Sequence, residues 1–193
     1  MHHIYHTEGI ILGSKNFGEA GKYYHIFTRD FGMILATAQG VRKISSKLRF
    51  VLQDFAYIRI DLVQTASIFR ITNALKTNTL EQVTKKPYNL KVFANVARLL
   101  KRLLAGVEPN EALFLDLLHS LSILEKIEKE DDLRNLEVVI VLRILNNLGY
   151  IGENEIMKNL IKSPFEEDLI LEVAKSRTGI LSQINKALKE THL

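Results

Sequence analysis

The sequence predicts an α+β protein in which a small five-stranded β-barrel, residues 1–84, precedes an all-helical domain, residues 85–193. Two observations predict this division. Up to residue 76, short segments rich in β-branched and aromatic residues are separated by turn residues, which is typical of strands. From residue 92 onward, apolar residues recur every three or four positions, which is typical of amphipathic helices. Five short strands favour a closed barrel because closure leaves no strand edge exposed.

The predicted strands follow one another at short spacing. They cover residues 5–12, 22–29, 33–38, 52–63 and 67–74, and the first is expected to end at Gly13. The fourth has the clearest alternation, because Ala56, Ile58, Ile60 and Leu62 fall on one side of the strand. This alternation predicts a strand with one buried face.

The helical domain is predicted to begin near Pro87, since proline is favoured at the start of a helix. A second helix is expected after Asn110, a residue type that caps helix N-termini. The third, residues 133–148, is apolar over most of its surface, which predicts a central position in a bundle, and it is expected to stop at Gly149. Two shorter helices, near residues 153–162 and 166–175, and a last helix from Thr178 complete the prediction.

Composition and motifs exclude several classes of protein. The chain is 47% hydrophobic and 25% charged, contains no cysteine, and has no apolar run of the about eighteen residues that a membrane span needs. The N-terminal residues lack the regions of a secretory signal, so a cytoplasmic location without membrane association is expected. No phosphate-binding glycine loop and no nucleophile with a base is visible, so neither an enzyme nor a cofactor is expected. His2, His3 and His6 are interpreted as part of an N-terminal tail rather than a metal site.

Positive charge is concentrated in the first part of the chain. Residues 1–84 contain ten Lys and Arg against six Asp and Glu, whereas the remaining residues contain sixteen of each. Residues 31–53 contain no acid, and between the third and fourth strands they carry Arg42, Lys43, Lys47 and Arg49. Cations spaced in this way on an exposed loop can pair with successive phosphates, which predicts DNA binding. The alternative is a solvated loop whose lysines serve solubility.

Two further groups of residues are candidates for binding. Tyr57 and Arg59 share one face of the fourth strand with Phe55, and Arg70 is expected on the neighbouring strand. Aromatic residues beside arginines can stack bases on a barrel of this kind, and the alternative is that the helical domain covers this face.

The second group lies on the first long helix and could extend the DNA path or receive an acidic peptide. The alternative is an ordinary solvated helix face. The group lies opposite the apolar stripe of the first long helix and comprises Lys91, Arg98, Lys101 and Arg102.

Several motifs occur in a characteristic order. They are TEGIIL at residues 7–12, FGE at 17–19, FTRDFG at 27–32, AQGVRK at 38–43 and LQDF at 52–55. Further on come EPNE at 108–111, LRIL at 142–145 and LGY at 148–150. In these motifs the chain resembles the RecO family, the bacterial recombination mediators of DNA repair, and the likeness is most specific in the first sixty residues.

The resemblance implies an oligonucleotide-binding (OB) barrel followed by a helical domain. It implies a protein that binds single- and double-stranded DNA, anneals complementary strands, and works with RecR on DNA coated by single-strand-binding protein to load RecA. Arg42 and Lys43 match the family's DNA-contacting stretch, and Lys47 and Arg49 belong to the same loop. The acidic C-terminal tail of single-strand-binding protein is expected to bind the helical domain.

The chain departs from the family pattern after the LGY motif. Many members carry a four-cysteine zinc module after the LGY motif, and a chain without cysteine cannot build that site. The region after residue 150 is also expected to be shorter than usual. Two other classes of function stay open from the sequence: an RNA-binding protein that uses the same barrel, and a protein–protein adaptor whose active surface is the helical domain.

Overall fold

Five strands close into a barrel in the computed structural model, which describes residues 3–65, 68–77, 80–104, 108–152, 155–163 and 167–190. The strands are β1 (Ile4–Phe17), β2 (Gly21–Thr28), β3 (Gly32–Ala38), β4 (Tyr57–Gln64) and β5 (Phe69–Lys76). They pair in the order β1-β2-β3-β5-β4, and β1 closes the barrel against β4. The β3–β5 pairing is parallel and the others are antiparallel. The predicted fold class, an OB barrel followed by a helical region, is confirmed.

Strand β1 pairs with two neighbours because a bulge at Gly13 bends it. Residues 4–10 pair with β4, and residues 9–17 pair with β2. The register shifts between Ile11 and Gly13, and Gly13 has a φ of 149°, a conformation that other residues adopt only with strain. The expectation that the first strand ends at Gly13 is therefore wrong, since the glycine bends the strand and does not terminate it.

The inward faces of the strands fill the barrel. In β4, Ile58, Ile60 and Leu62 are at most 2% exposed, which confirms the predicted alternation. This strand begins at Tyr57 and not at residue 52 as predicted. Between β3 and β4 the chain forms a series of turns and one short helix, α1 (Leu48–Val51), which the sequence did not predict.

Five helices follow in the described part of the C-terminal region, after a short 3-10 turn at Val83–Lys85. Asn110 caps the second of them by accepting a hydrogen bond from the Leu113 N–H at 2.9 Å. The third contacts all four others, as its apolar surface predicts, and the chain leaves it through Gly149, which has a φ of 77°. In order they are α2 (Pro87–Leu103), α3 (Glu111–Leu124), α4 (Glu130–Asn147), α5 (Glu155–Lys162) and α6 (Glu167–Glu190).

The last helix differs from the prediction. The sequence favours a break before Thr178, yet α6 runs without interruption through Gly179. A glycine inside a helix costs only about 1 kcal/mol. Val173, Ile180 and Ile184 are buried along one stripe of α6, and burying such side chains contributes roughly 1.5–3 kcal/mol each. Packing of the stripe therefore outweighs the local cost of Gly179.

A buried arginine ties three of the helices together. Arg143 of α4 is 5% exposed. Its guanidinium donates to the carbonyl of Leu160 at 3.1 Å and to the carbonyl of Ser163, so it satisfies groups at the C-terminal end of α5. It also forms an ion pair with Asp116 of α3 at 3.1 Å.

The helices pack directly on the barrel. Ile10, Leu12, Phe27 and Tyr57 point outward from the barrel and belong to the hydrophobic core of the helical bundle. The division into two domains at residue 84 stays a prediction, because this shared core crosses the boundary. Within the described ranges, no helix is both long and apolar enough to cross a membrane.

Candidate nucleic-acid interface

The basic loop, residues 40–51, connects β3 to β4 and is fixed to the barrel at both ends. Val41, near the start of the loop, and Leu52, which directly follows its end, are each 2% exposed in the barrel core. The Arg42 N–H donates to the carbonyl of Ala20 at 2.9 Å, and the Arg42 guanidinium donates to the carbonyl of Gly18 at 3.5 Å. The loop therefore lies against the turn between β1 and β2.

The four predicted cations of this loop are all exposed and carry uncompensated charge. Consecutive turns fix the backbone: the Lys43 N–H donates to the carbonyl of Gly40, and the Ser46 N–H donates to the carbonyl of Lys43, each at 3.0 Å. A phosphate can bind such cations without displacing a carboxylate. Across the described part of the chain, no ion pair joins a carboxylate to any of Arg42, Lys43, Lys47 and Arg49.

An aromatic pair stands at the same turn. The ring of Phe17, which is 45% exposed, contacts the ring of Tyr23 with centroids 4.6 Å apart. Tyr23 points away from the barrel interior, because the adjacent Tyr24 fills that interior. The pair therefore offers aromatic surface to solvent beside the basic loop, and aromatic surface of this kind can stack a base.

The register extends this surface across four strands. Tyr23 lies opposite Lys15 on β1 and opposite Thr37 on β3, and Thr37 is paired with Arg70 on β5. Directly opposite residues share one face of a sheet. The outward row thus consists of Lys15, Tyr23, Thr37 and Arg70, on the side of the barrel through which OB folds bind oligonucleotides. Thr37 is only 8% exposed, so Lys15, Tyr23 and Arg70 form the accessible part of the row.

The end of helix α2 joins this row. Lys101 Nζ lies 3.3 Å from the point that a Cβ on Gly13 would occupy, so the ammonium rests on the β1 bulge. Partial burial lowers the pKa of His25 on β2, and the nearby Lys101 ammonium lowers it further. Arg42 reaches the turn beside Phe17, and Phe17 contacts Tyr23 of the row, so we call the row, Phe17, the basic loop and Lys101 together the basic surface.

The structure does not bring Tyr57 to this surface. Tyr57 is 8% exposed and belongs to the core of the helical bundle, where its ring lies 6.4 Å from that of Phe114. Its hydroxyl donates to Glu8 at 2.8 Å, and burial with this hydrogen bond raises its pKa to about 12. The neighbouring Phe55 contacts Phe93 of α2. The expected stacking platform on β4 is therefore wrong, because the helices cover that face, which was the alternative interpretation.

Arg59 is exposed but its charge is compensated. It lies directly opposite Glu8 in the β1–β4 pairing, and its Nε donates to the Glu8 carboxylate at 3.1 Å. Arg29 approaches the same carboxylate and pairs with Glu111 of α3. These two arginines therefore belong to a neutralised cluster that joins barrel and helices, apart from the basic surface.

The basic face predicted on the first long helix is present. Lys91, Arg98 and Arg102 are exposed on α2, and Lys101 is half-buried against the barrel. Of the four, Lys101 is the one that the described contacts place on the basic surface. The other three follow one side of α2, and the choice between a binding face and a solvated helix face stays open.

The N-terminal histidines have a different place from the one expected. His6 lies in β1, where its Nδ1 is 2.7 Å from Asp61 of β4, and His3 contacts the ring of Tyr5. His6 is therefore part of the barrel and not of a tail, whereas His3 directly precedes β1 and His2 lies outside the described residues. In the described ranges, no group of three or more His, Asp or Glu is arranged to hold a metal ion.

Sequence reasoning missed four residues of the basic surface: Lys15, Phe17, Tyr23 and Thr37. The sequence does contain a signal for this surface: Phe17 directly precedes the turn at residues 18–21, and Tyr23 lies two positions after it. Two strands joined by so short a turn bring such residues into diagonal contact on one face of the sheet. The early end assigned to the first strand at Gly13 concealed this pairing.

Comparison with known proteins gives the family. Residues 1–79 match the family model described as "Recombination protein O N terminal". Residues 88–152 match the model described as "Recombination protein O C terminal". Together the two matches cover most of the chain, in the same order as the barrel and the first helices.

Individual relatives agree with these matches. The chain is similar to the DNA repair protein RecO of Rubrobacter xylanophilus (29% identity over 65% of this chain and 50% of the relative). It is similar to the RecO proteins of Thermodesulfovibrio yellowstonii (28% identity, 77% of this chain, 59% of the relative) and Bacillus subtilis (25%, 76% and 56%). The chain thus spans between half and three-fifths of the length of these relatives. On the two family matches and these likenesses, the chain belongs to the RecO family of DNA repair proteins.

Proposed function

We propose that this chain binds single- and double-stranded DNA along the basic surface and that it acts by binding, without a chemical step. The observation that carries the proposal is the contrast between two sets of cations. Arg29 and Arg59 are compensated by carboxylates, whereas the cations of the basic loop face solvent without such partners in the described part of the chain. Uncompensated cations on a fixed backbone favour a polyanion.

The aromatic pair extends the proposal from phosphates to bases. Phosphate contacts position a nucleic acid, whereas stacking engages bases that are free of a duplex. The Phe17–Tyr23 pair joins the basic loop to the outward row, so a single strand that crosses the barrel passes over both kinds of group. This arrangement supports binding of single strands with their bases accessible.

Annealing of complementary strands follows from the same surface. Two DNA strands repel each other through their phosphates, and cations that bind both lower this repulsion. We propose that the basic surface holds two strands close enough for their exposed bases to pair. The mechanism requires electrostatics and stacking alone.

The family suggests the protein partners. We propose that the chain works with RecR, on DNA coated by single-strand-binding protein, to load RecA in recombinational repair. The acidic C-terminal tail of single-strand-binding protein requires cations on the helical region. Lys91, Arg98 and Arg102 are the candidates, because they are exposed on α2 and none has a carboxylate partner among the described residues.

Annealing and binding assays on one set of variants test the proposal. The protein is expected to bind a labelled single strand and to speed annealing of two complementary oligonucleotides. The variant Lys15→Ala/Arg70→Ala is expected to lose a large part of both activities. The control Lys126→Ala/Lys129→Ala removes the same charge from exposed positions beside α3 and α4, and it is expected to retain both. Equal losses in the two variants, or stronger binding to RNA of the same sequence, would contradict the proposal.

The adaptor function is a second candidate, because Lys91, Arg98 and Arg102 of α2 lie outside the basic surface. The variant Arg98→Ala/Arg102→Ala separates the two. Loss of binding to a peptide with an acidic C-terminus, with unchanged DNA affinity, would assign the α2 face to partner capture. Loss of DNA affinity would extend the DNA path along α2.

A further inference from the structure

Two large apolar side chains stand out from the basic loop into solvent. Ile44 is 88% exposed and Phe50 is 63% exposed. Burying such a side chain contributes roughly 1.5–3 kcal/mol, so this exposure forgoes stability. The same loop packs other apolar residues against the barrel, since Val41 is buried and Leu48 and Val51 are partly buried there. Ile44 and Phe50 therefore point into solvent although other apolar residues of the same loop pack against the barrel.

The loop presents these two side chains on a fixed backbone. Phe50 lies in α1, which directly follows the turns at Lys43 and Ser46. The Arg49 guanidinium lies 4.9 Å from the centroid of the Phe50 ring, in a cation–π contact. This contact orients the ring and leaves most of it in solvent.

Charge complementarity indicates the occupant. Ile44 and Phe50 alternate along the loop with Arg42, Lys43, Lys47 and Arg49. A ligand that satisfies both sets must combine closely spaced negative charges with exposed apolar faces. Single-stranded nucleic acid has this combination, since each phosphate is followed by a base with a free π-face. In a duplex these faces are stacked and unavailable unless a side chain is wedged between them.

Continuity with the basic surface favours the same occupant. Arg42 binds Gly18, the first residue of the turn between β1 and β2, next to the exposed ring of Phe17. A strand that stacks on the Phe17–Tyr23 pair therefore passes directly to the loop. A lipid surface would require the apolar residues to face one plane without this neighbouring base platform.

We propose, on the basis of the proposed DNA-binding function, that Ile44 and Phe50 contact bases directly. Phe50 stacks on an exposed base, and Ile44 packs against the adjacent base. The loop thereby prefers single strands to duplexes, because the apolar contacts form with unpaired bases and the cations alone bind either form.

Tryptophan fluorescence tests this inference, since the chain contains no tryptophan. Phe50→Trp places a probe in the loop, and Leu171→Trp places a control probe on α6, where Leu171 is 58% exposed. A single-stranded oligonucleotide is expected to quench the loop probe and not the control. A duplex of equal length, or a single strand of abasic residues, is expected to bind with little quenching. Binding in anisotropy without quenching at position 50, or equal quenching by abasic DNA, overturns the inference but leaves DNA binding intact.

An affinity measurement gives a second readout. Ile44→Ala/Phe50→Ala keeps every charge, so its affinity for single strands is expected to fall roughly 5- to 150-fold, as for loss of base stacking. The dependence of its affinity on salt is expected to be unchanged, because no phosphate contact is lost. An unchanged affinity, or a blue shift of the loop probe on vesicles of phosphatidylserine and phosphatidylcholine without quenching by DNA, overturns the inference. Absence of all DNA binding by the wild-type chain overturns both the inference and the proposed function.

Discussion

At the scale of single residues, the surroundings of a side chain decide its role more than its type does. Tyr24 and Tyr57 are both buried tyrosines of the barrel. The Tyr57 hydroxyl donates to Glu8, whereas the Tyr24 hydroxyl has no hydrogen-bond partner among the described residues. Burial raises the pKa of each to about 12, with contributions from nearby carboxylates. Neither hydroxyl therefore ionises at neutral pH.

Replacing each tyrosine by phenylalanine is expected to have opposite effects on stability. Tyr57→Phe removes a hydrogen bond to a carboxylate and is expected to lower the free energy of unfolding by about 1–2 kcal/mol. Tyr24→Phe removes an unpaired buried hydroxyl and is expected to leave stability unchanged or raise it. Urea denaturation measures both values. DNA affinity should be the same in Tyr57→Phe and wild type, and a large loss would restore Tyr57 to the binding site.

His25 is expected to make DNA binding depend on pH. Its pKa lies below the ordinary value, first through burial and then through Lys101, so the ring is uncharged at neutral pH. A nearby phosphate favours the protonated ring, and affinity should therefore rise as pH falls through the lowered pKa of His25, on the acid side of the ordinary histidine range. Anisotropy between pH 5.5 and 7.5 measures this effect. His25→Ala should bind with a weaker pH dependence, and an identical dependence in that variant would assign the effect to other groups.

At the scale of elements, the sequence predicted correctly those helix features that depend on neighbouring residues alone. The cap at Asn110, the stop at Gly149 and the central position of α4 were predicted correctly, because capping and apolar spacing are local signals. Gly13 was misread as the end of the first strand, and a break was predicted before Thr178, where α6 in fact continues. A glycine permits a turn, a bulge or an uninterrupted helix, and tertiary packing chooses among them. The sequence alone does not contain that choice.

A pair of glycine substitutions tests where helices α4 and α6 end or continue. Gly179→Ala is expected to raise the free energy of unfolding by up to about 1 kcal/mol, because alanine favours a helix and an added Cβ meets no atom within 4 Å. Gly149→Ala is expected to lower it by about 1–2 kcal/mol, because the φ of 77° strains any side chain. Thermal denaturation distinguishes them. Destabilisation by Gly179→Ala would indicate a break in α6 at this position.

At the scale of the whole molecule, the barrel has two outer faces that differ in whether the helices cover them. Helices cover the face that carries Tyr57, while the face that carries Tyr23 and Arg70 stays open. The sequence identified the basic loop, because unopposed cations over a long window are visible without a structure. It placed the aromatic platform on the wrong face, because helix docking is a tertiary event that strand alternation does not report.

The shared core predicts that barrel and helices unfold together. Tyrosine fluorescence reports mainly on the barrel, since Tyr5, Tyr23, Tyr24 and Tyr57 lie in its strands. Circular dichroism at 222 nm reports mainly on the helices. The two transitions in urea are expected to coincide, as in two-state unfolding. Separated midpoints would show that the boundary at residue 84 divides two independent units.

The most direct test of the central claim is the salt dependence of single-stranded DNA binding, measured by fluorescence anisotropy. We compare wild type with Arg42→Ala/Lys43→Ala, and use Lys126→Ala/Lys129→Ala as the variant of equal charge. Each lost phosphate contact reduces the slope of log K against log salt by about 0.7 for a single strand. The loop variant should therefore bind more weakly with a slope smaller by roughly 1.4, while the control matches wild type. Equal slopes in all three proteins would contradict the assignment of the basic loop as the DNA-binding site.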